Sequence, residues 1–182
     1  MTRDELEASL NLTKEWIPEG QRNRPGTSIK PTSITIHNTD NEDKGADANA
    51  HSNFVRKTGF YKNKNTGKIT WVSWHFTVDD ARVIQQLPVT ERAYHAGTEG
   101  NGKSIAIEIC MNKGIDQKAA FLRAAKLTAL LLFDRKLKTN AVVTHSSWTG
   151  KNCPQLLLNG GVEGAKWNAF RQLVSEQYAL IK

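Results

Sequence analysis

The chain has 182 residues, with 25 Lys and Arg against 18 Asp and Glu, a formal net charge of +7 and only two cysteines. This composition is typical of a globular chain of one domain and excludes a wholly disordered one. Two cysteines also exclude a disulfide-rich scaffold, although a single bridge between Cys110 and Cys153 stays open. The basic charge favours polyanionic partners, namely nucleic acid, anionic membranes or anionic cell-wall polymers.

Neither a targeting segment nor a membrane span is expected. Residues 1–11 include early acidic side chains and no apolar stretch, which argues against a signal peptide. The most apolar run, residues 127–133, is far shorter than the roughly 20 residues that cross a bilayer. We therefore expect a chain made in the cytoplasm, one that reaches the outside through lysis, a holin-type route or a leader that this sequence does not show.

The first half of the chain predicts a mixture of loops, strands and a helix. Residues 1–30 are expected to be loop-rich, because prolines and glycines interrupt any long element. The pattern then predicts a strand at 33–38, a helix at 46–57, an exposed basic loop or hairpin at 59–68, and paired strands at 73–79 and 81–87. In the first of these strands Ile34 and Ile36 share one face, and Thr35 and His37 share the other.

The second half begins with residues 93–102, whose glycines and polar side chains predict a surface loop. The strand at 104–110 is the sharpest local signal, because isoleucines occupy one face and Glu108 lies among small residues on the other. A helix capped by Asp116 and running to about 137, a strand at 141–145 and a last helix at 162–180 complete the prediction. Strands interleaved with helices predict a single α/β domain with a central mixed sheet flanked by helices.

Three residues are candidate metal ligands. His37 and His145 fall at or near the ends of predicted strands, and Cys153 follows in the next loop. Imidazole and thiolate are ligands that zinc prefers, and three protein ligands with one open position describe a catalytic zinc site. The spacing alone also permits hydrogen-bonded histidines and a buried free cysteine.

Two charged residues are candidates for chemistry at such a site. Glu108 is a carboxylate on the polar face of an otherwise aliphatic strand and can act as a general base, or it can simply face water. Lys151 lies two residues before Cys153, where a cation can lower the pKa of the thiol and steady an oxyanion. Alternatively, Lys151 is simply a loop residue exposed to solvent.

Five sequence blocks occur together in the order found in one family. They are residues 35–39 (TIHNT), 73–79 (SWHFTVD), 93–97 (AYHAG), 104–110 (SIAIEIC) and 144–154 (THSSWTGKNCP). The chain resembles the zinc N-acetylmuramoyl-L-alanine amidases of the type 2 superfamily, which also includes phage lysozymes and peptidoglycan-recognition proteins. The greatest likeness is to Bacillus prophage endolysins and autolysins. It extends from about Asn23 to Leu158 and makes residues 31–182 the expected catalytic domain, following the N-terminal segment 1–30.

The resemblance implies one zinc ion bound by His37, His145 and Cys153, with water as the fourth ligand. It implies hydrolysis of the amide between N-acetylmuramic acid and L-alanine in peptidoglycan, with Glu108 as the base and Lys151 at the oxyanion. A disulfide to Cys153 is then not expected. Phage-lysozyme members have a catalytic tyrosine where this chain has Trp74, so that proton-transfer role is not carried over.

The remaining histidines and tryptophans receive weaker assignments. Trp74, His95 and Trp148 are candidate substrate contacts, against the alternatives of packing or simple surface positions. His75 is expected to be structural and hydrogen-bonded. His51, within a predicted helix, is expected to be exposed.

Two other functions remain open beside an endolysin or autolysin domain. One is a non-catalytic peptidoglycan-binding module, although relatives of that kind typically lack the cysteine ligand. The other is a cytosolic recycling amidase that acts on anhydro-muropeptides. A nucleic-acid partner finds no supporting motif, so the expected partner is peptidoglycan, in a wall rich in anionic polymer, and the expected state is a monomer.

Overall fold

Helices and short strands alternate along the chain in the computed structural model, which describes residues 1–182. In chain order the elements are α1 (Arg3–Ala8), β1 (Leu12–Lys14), β2 (Ser33–Asn38), α2 (Ala48–Lys57), β3 (Phe60–Lys62), β4 (Ile69–Trp71), β5 (Phe76–Val78), β6 (Val83–Gln85), α3 (Gly97–Lys103), β7 (Ser104–Ile109), α4 (Gln117–Arg135), β8 (Val142–Thr144), α5 (Ser146–Thr149), β9 (Leu158–Asn159), β10 (Val162–Glu163) and α6 (Ala165–Ala179). A short 3-10 helix, Thr139–Ala141, precedes β8.

A six-stranded mixed sheet in the order β1-β6-β5-β7-β2-β8 forms the centre of the fold. Only β5 and β6 pair antiparallel; the other four neighbouring pairs are parallel. Strand β2 therefore lies between β7 and β8 with all three chains running in the same direction. The predicted α/β class with a mixed sheet flanked by helices is confirmed.

The larger core lies on the isoleucine face of the sheet. Ile34 and Ile36 of β2 and the isoleucines of β7 are fully buried there against α4 and α6. Helix α4 begins where it was predicted, because the Asp116 carboxylate accepts hydrogen bonds from the backbone N–H groups of Lys118 and Ala119 at 3.0 and 3.1 Å. The side chains on this face form the core, and His37 and Glu108 project from the opposite face of the sheet.

A smaller apolar cluster lies on that opposite face, under α2. It consists of Ile17, Val55, Trp74, Leu87, Ala93 and Ala106. The predicted basic loop or hairpin beside it is a hairpin of β3 and β4, which extends three residues beyond the predicted stretch to Trp71. None of the helices has both the length and the apolar character to cross a membrane.

The N-terminal segment contains more regular structure than its loop-rich composition suggested. Helix α1 begins with a capping box, in which Thr2 and Glu5 satisfy each other's backbone N–H groups. Leu6 and Leu10 are fully buried in the larger core, and β1 adds an edge strand beside β6. The proline-containing stretch that follows β1 contains neither helix nor strand before β2.

The prediction lacked helix α3 and began helix α6 too early. The expected surface loop at 93–102 contains most of α3, a glycine-containing helix that sequence propensity disfavours. Glycine fits at position 100 of this helix because a Cβ there would lie 2.6 Å from the Cβ of Ala96 and 3.0 Å from Cγ of Trp148. The last helix begins at Ala165 rather than Val162, because Val162–Glu163 pairs with β9 as a strand.

Candidate metal centre

Parallel pairing brings the polar residues of three strands to one edge of the sheet. His37 lies near the end of β2, Glu108 lies near the end of β7, and His145 follows β8 directly. His37 and Glu108 are direct register partners, so their side chains project from the same face as neighbours. Residues that are distant in sequence thus share one edge because their strands are adjacent and parallel.

The three predicted ligands meet at this edge. The ligand atoms of His37, His145 and Cys153 all lie within 4.8 Å of one another. The thiol Sγ of Cys153 is 3.6 Å from Nδ1 of His37, and the two imidazole centroids are 4.8 Å apart. Tetrahedral zinc with ordinary bond lengths separates a nitrogen and a sulfur ligand by about 3.5 Å. Donor types and spacing therefore fit a zinc ion.

The loop that carries Cys153 is anchored to β2 and α5. The Asn38 side chain donates to the Ile109 carbonyl at 3.2 Å and accepts from the Leu156 N–H at 3.1 Å. The Ser146 N–H donates to the Cys153 carbonyl at 3.0 Å. Cys153 and Cys110 are both free and buried, so no disulfide competes for the thiol.

Burial governs the protonation of the three ligands. Desolvation lowers the pKa of His37 well below its ordinary value and lowers that of His145 to about 4, and Lys151 acts in the same direction on both. Neutral imidazoles are the form that binds a metal. Burial raises the pKa of the Cys153 thiol to about 12 when no cation is beside it, and a bound cation favours the thiolate instead.

Glu108 lies beside the ligands rather than among them. Its side chain is only 12% exposed, and Oε1 is 3.8 Å from Nδ1 of His37. Oε2 is buried with no hydrogen-bond partner. Burial raises the pKa of Glu108 to about 8, against a lowering by Lys151 and with a further increase from Asp40. Such a carboxyl exchanges a proton close to neutral pH, which suits general acid–base chemistry.

A cleft of about 600 Å³ opens onto the cluster. Lys151 is exposed and lines it, so the ammonium group and Glu108 face the same space as the three ligands. Residues that also line the cleft include Asp40, Tyr61, Trp71, Trp74, Tyr94, His95 and Asn101. The site therefore combines an ion-binding cluster, a base, a cation and room for a substrate.

The candidate substrate contacts differ in placement. Trp74 lines the cleft but is 5% exposed, and its indole N–H donates to the Thr77 hydroxyl at 2.7 Å. Trp148 is not among the cleft-lining residues; its indole N–H donates to the Thr35 hydroxyl at 2.9 Å. His95 lines the cleft, and its Nδ1 is 3.0 Å from Nε2 of His37.

The other two histidines are structural. The prediction for His75 is confirmed, because its Nδ1 accepts from the Ala106 N–H and its Nε2 lies 2.9 Å from the Glu91 carbonyl. The prediction that His51 is exposed was wrong: it is 8% exposed. His51 lies three residues after Ala48 and four before Val55, which are both buried, so it shares the inward face of α2.

Some residues of the cleft were missed in the sequence. Asp40 follows the end of β2, and Tyr61 and Trp71 reach the cleft from the β3–β4 hairpin. The only feature of the sequence that could have indicated Tyr61 and Trp71 is the alternation of aromatic and basic residues in the hairpin. That pattern is equally typical of a turn exposed to solvent. Asn101 had no signal, since it lies in the segment predicted as a loop.

Known proteins are similar to this chain in both sequence and fold. Residues 27–156 match the family described as N-acetylmuramoyl-L-alanine amidase. The amidase CwlH of Bacillus subtilis (strain 168) is 42% identical over 170 residues, which cover 91% of this chain and 62% of that protein. The amidase XlyA of the same strain is 39% identical over 165 residues, covering 89% of this chain and 50% of that protein.

A solved structure of the catalytic domain of XlyA superposes with a TM-score of 0.77 at 38% identity, covering 91% of this chain and 99% of that one. The similarity thus extends over nearly the whole of that solved domain. The chain spans only about half to two thirds of the full length of the curated relatives named above.

Proposed function

We propose that this chain, which belongs to the N-acetylmuramoyl-L-alanine amidase family, hydrolyses the amide between N-acetylmuramic acid and L-alanine in peptidoglycan, as an endolysin or autolysin catalytic domain. One observation supports this most directly. The ligand atoms of His37, His145 and Cys153 lie within 4.8 Å of one another, with the Glu108 carboxylate beside them in an open cleft.

His37, His145 and Cys153 would hold one zinc ion. Zinc bound at this edge supplies a nucleophile at neutral pH, by lowering the pKa of a water toward ~7, and polarises the amide carbonyl. The protein holds these ligands in fixed positions. His37 lies near the end of β2, His145 follows the parallel strand β8, and Cys153 lies in a loop that is hydrogen-bonded to β2.

Glu108 would act as the proton carrier. Its carboxylate takes the proton of the attacking water and returns it to the nitrogen of L-alanine as the amide C–N bond breaks. Burial raises the pKa of Glu108, whereas Lys151 and a cation held by the three ligands lower it, so opposing effects meet at this carboxyl group. No protein group donates a hydrogen bond to its buried Oε2.

Lys151 would stabilise the negative charge that develops on the amide oxygen. Lys151 lines the cleft, and its charge lowers the pKa of Glu108. The exposed position of Lys151 lets a substrate reach it without rearrangement of the core. Trp74 would contribute to the wall of the cleft that the substrate meets.

The biological setting follows from the reaction. We assign the catalytic residues to the segment 31–182 of a single domain, whose core and central sheet also include Leu6, Leu10 and β1 of the N-terminal segment. This domain would act as a monomer on the bacterial cell wall, with peptidoglycan as the partner. Synthesis in the cytoplasm and release by lysis or a holin-type route would bring the protein to its substrate. The net charge of +7 would attract the protein to a cell wall rich in anionic polymer.

Digestion of purified peptidoglycan tests the proposal. Zinc-loaded protein should release new amino-terminal alanine without new reducing ends, and a chelator should stop the release. New reducing ends would indicate a glycosidase and contradict the proposal. Binding without any release would indicate a recognition module instead. Cleavage of soluble anhydro-muropeptides but not of intact walls would favour a recycling amidase.

A further inference from the structure

His95 lies directly behind the candidate ligand His37, on the side away from Cys153. Nδ1 of His95 is 3.0 Å from Nε2 of His37, and the rings meet edge to face at 82° with centroids 5.0 Å apart. This is hydrogen-bond distance between two imidazole nitrogens. One of the two nitrogens must carry the shared hydrogen.

The direction of this hydrogen bond decides which nitrogen of His37 can bind a metal. A neutral imidazole carries one hydrogen. If His37 donates from Nε2, its Nδ1 keeps a lone pair 3.6 Å from the thiol of Cys153. If His95 donated instead, the hydrogen of His37 would sit on Nδ1, within the ligand cluster, and no lone pair would face it.

We infer that His95 is a positioning residue, which accepts the Nε2 hydrogen of His37 and so presents the Nδ1 lone pair of His37 to the metal. The inference rests on the proposed function only for the identity of the metal. It gives His95 a role different from the direct substrate contact expected from the sequence. A metal-binding histidine commonly donates its second N–H to a fixed acceptor, which sets the tautomer and the ring orientation.

The acceptor is itself held in place. The backbone N–H groups of His95 and Ala96 both donate to Oδ1 of Asn101 at 2.7 Å. Asn101 is 9% exposed and belongs to α3, which packs against α5 next to His145. Helix α3 therefore fixes the turn that carries His95, and His95 in turn fixes His37.

Two variants of nearly equal shape separate positioning from simple packing. In His95→Asn the amide oxygen occupies roughly the position of the imidazole Nδ1, so the acceptor is retained, whereas His95→Leu removes it. Zinc affinity, measured by competition with a chromophoric chelator, should fall about 10- to 100-fold in His95→Leu and remain near the unsubstituted value in His95→Asn. Equal affinity in His95→Leu and the unsubstituted chain would overturn the inference, and so would equal losses in both variants.

A measurement on the unsubstituted chain covers the case in which His95→Leu does not fold. Long-range ¹H–¹⁵N correlation spectra of the zinc-free protein near pH 7 distinguish the two tautomers of His37. The Nε2–H tautomer is expected, and the Nδ1–H tautomer would refute the assignment. Neither experiment involves peptidoglycan, so a failure of the proposed amidase activity would remain distinguishable from a failure of this inference.

Discussion

Acidification should weaken the fold by protonating His75, which ties the strand that carries Glu108 to the segment leading to His95. The ring accepts a hydrogen bond from the Ala106 N–H of β7 at 2.9 Å and contacts the Glu91 carbonyl at 2.9 Å. Both nitrogens are thus used by the neutral ring. Protonation would place a hydrogen on Nδ1, which would face the Ala106 N–H. Two donors would then oppose each other, and the hydrogen bond would be lost.

The size of the effect follows from the pKa. Burial lowers the pKa of His75 from 6.5 to about 4. A depressed pKa in the folded state gives a stabilising contribution that is fully present above pH 6.5 and is lost as the pH falls toward 4. At 1.36 kcal/mol per pKa unit, this loss amounts to about 3 kcal/mol of the free energy of unfolding.

Denaturant unfolding of zinc-free protein at a series of pH values measures this loss. Other buried histidines such as His145 titrate in the same direction, so the comparison is made with His75→Asn, whose side chain cannot titrate. That variant should be less stable at pH 7, because the hydrogen bond to the Glu91 carbonyl is lost. Its deficit relative to the unsubstituted chain should shrink by about 3 kcal/mol between pH 7 and pH 4. A deficit that stays constant over this range would refute the reasoning.

Three further outcomes are expected. Cys153→Ala should lose most of its zinc, since two ligands hold the ion poorly; metal analysis after dialysis checks this, and a full equivalent of zinc would contradict it. Glu108→Gln should lower amidase activity about 100-fold or more while zinc content is unchanged, and a rate close to that of the parent chain would remove Glu108 from the reaction. Gly59→Ala should destabilise by more than about 2 kcal/mol in thermal or denaturant unfolding, because φ is +63° and a Cβ would lie 2.1 Å from the Asn23 side chain. Gly67→Ala, at φ +71° with open space around it, is the matched control and should lose less; equal losses would show that the contact with Asn23 is unimportant.

Elements with strong local patterns were predictable from the sequence. The alternation in β7 and the Asp116 cap of α4 are encoded by neighbouring residues, and both appear where they were predicted. Helix α3 was not predictable in this way, because three of its seven residues are glycines and the close approach of Trp148 to Gly100 joins distant parts of the chain. Tertiary packing overrides propensity at such positions.

The candidate ligands and their meeting at one site were expected from the resemblance, but the contacts around them were not. The resemblance pointed to His37, His145 and Cys153, whose proximity the structure then shows. The pairing of His95 with His37 joins residues that are 58 positions apart, and no periodicity reports on such a contact. Only the placement of α3 beside the sheet edge reveals it.

The parallel order β7-β2-β8 also has a consequence for biosynthesis. Two of the three candidate ligands stand at positions 145 and 153, more than a hundred residues after His37, so a nascent chain offers a single candidate ligand until His145 has been synthesised. Parallel pairings between distant segments are among the slowest to form during folding. The complete set of candidate ligands therefore comes together late, when the strands of this edge have paired.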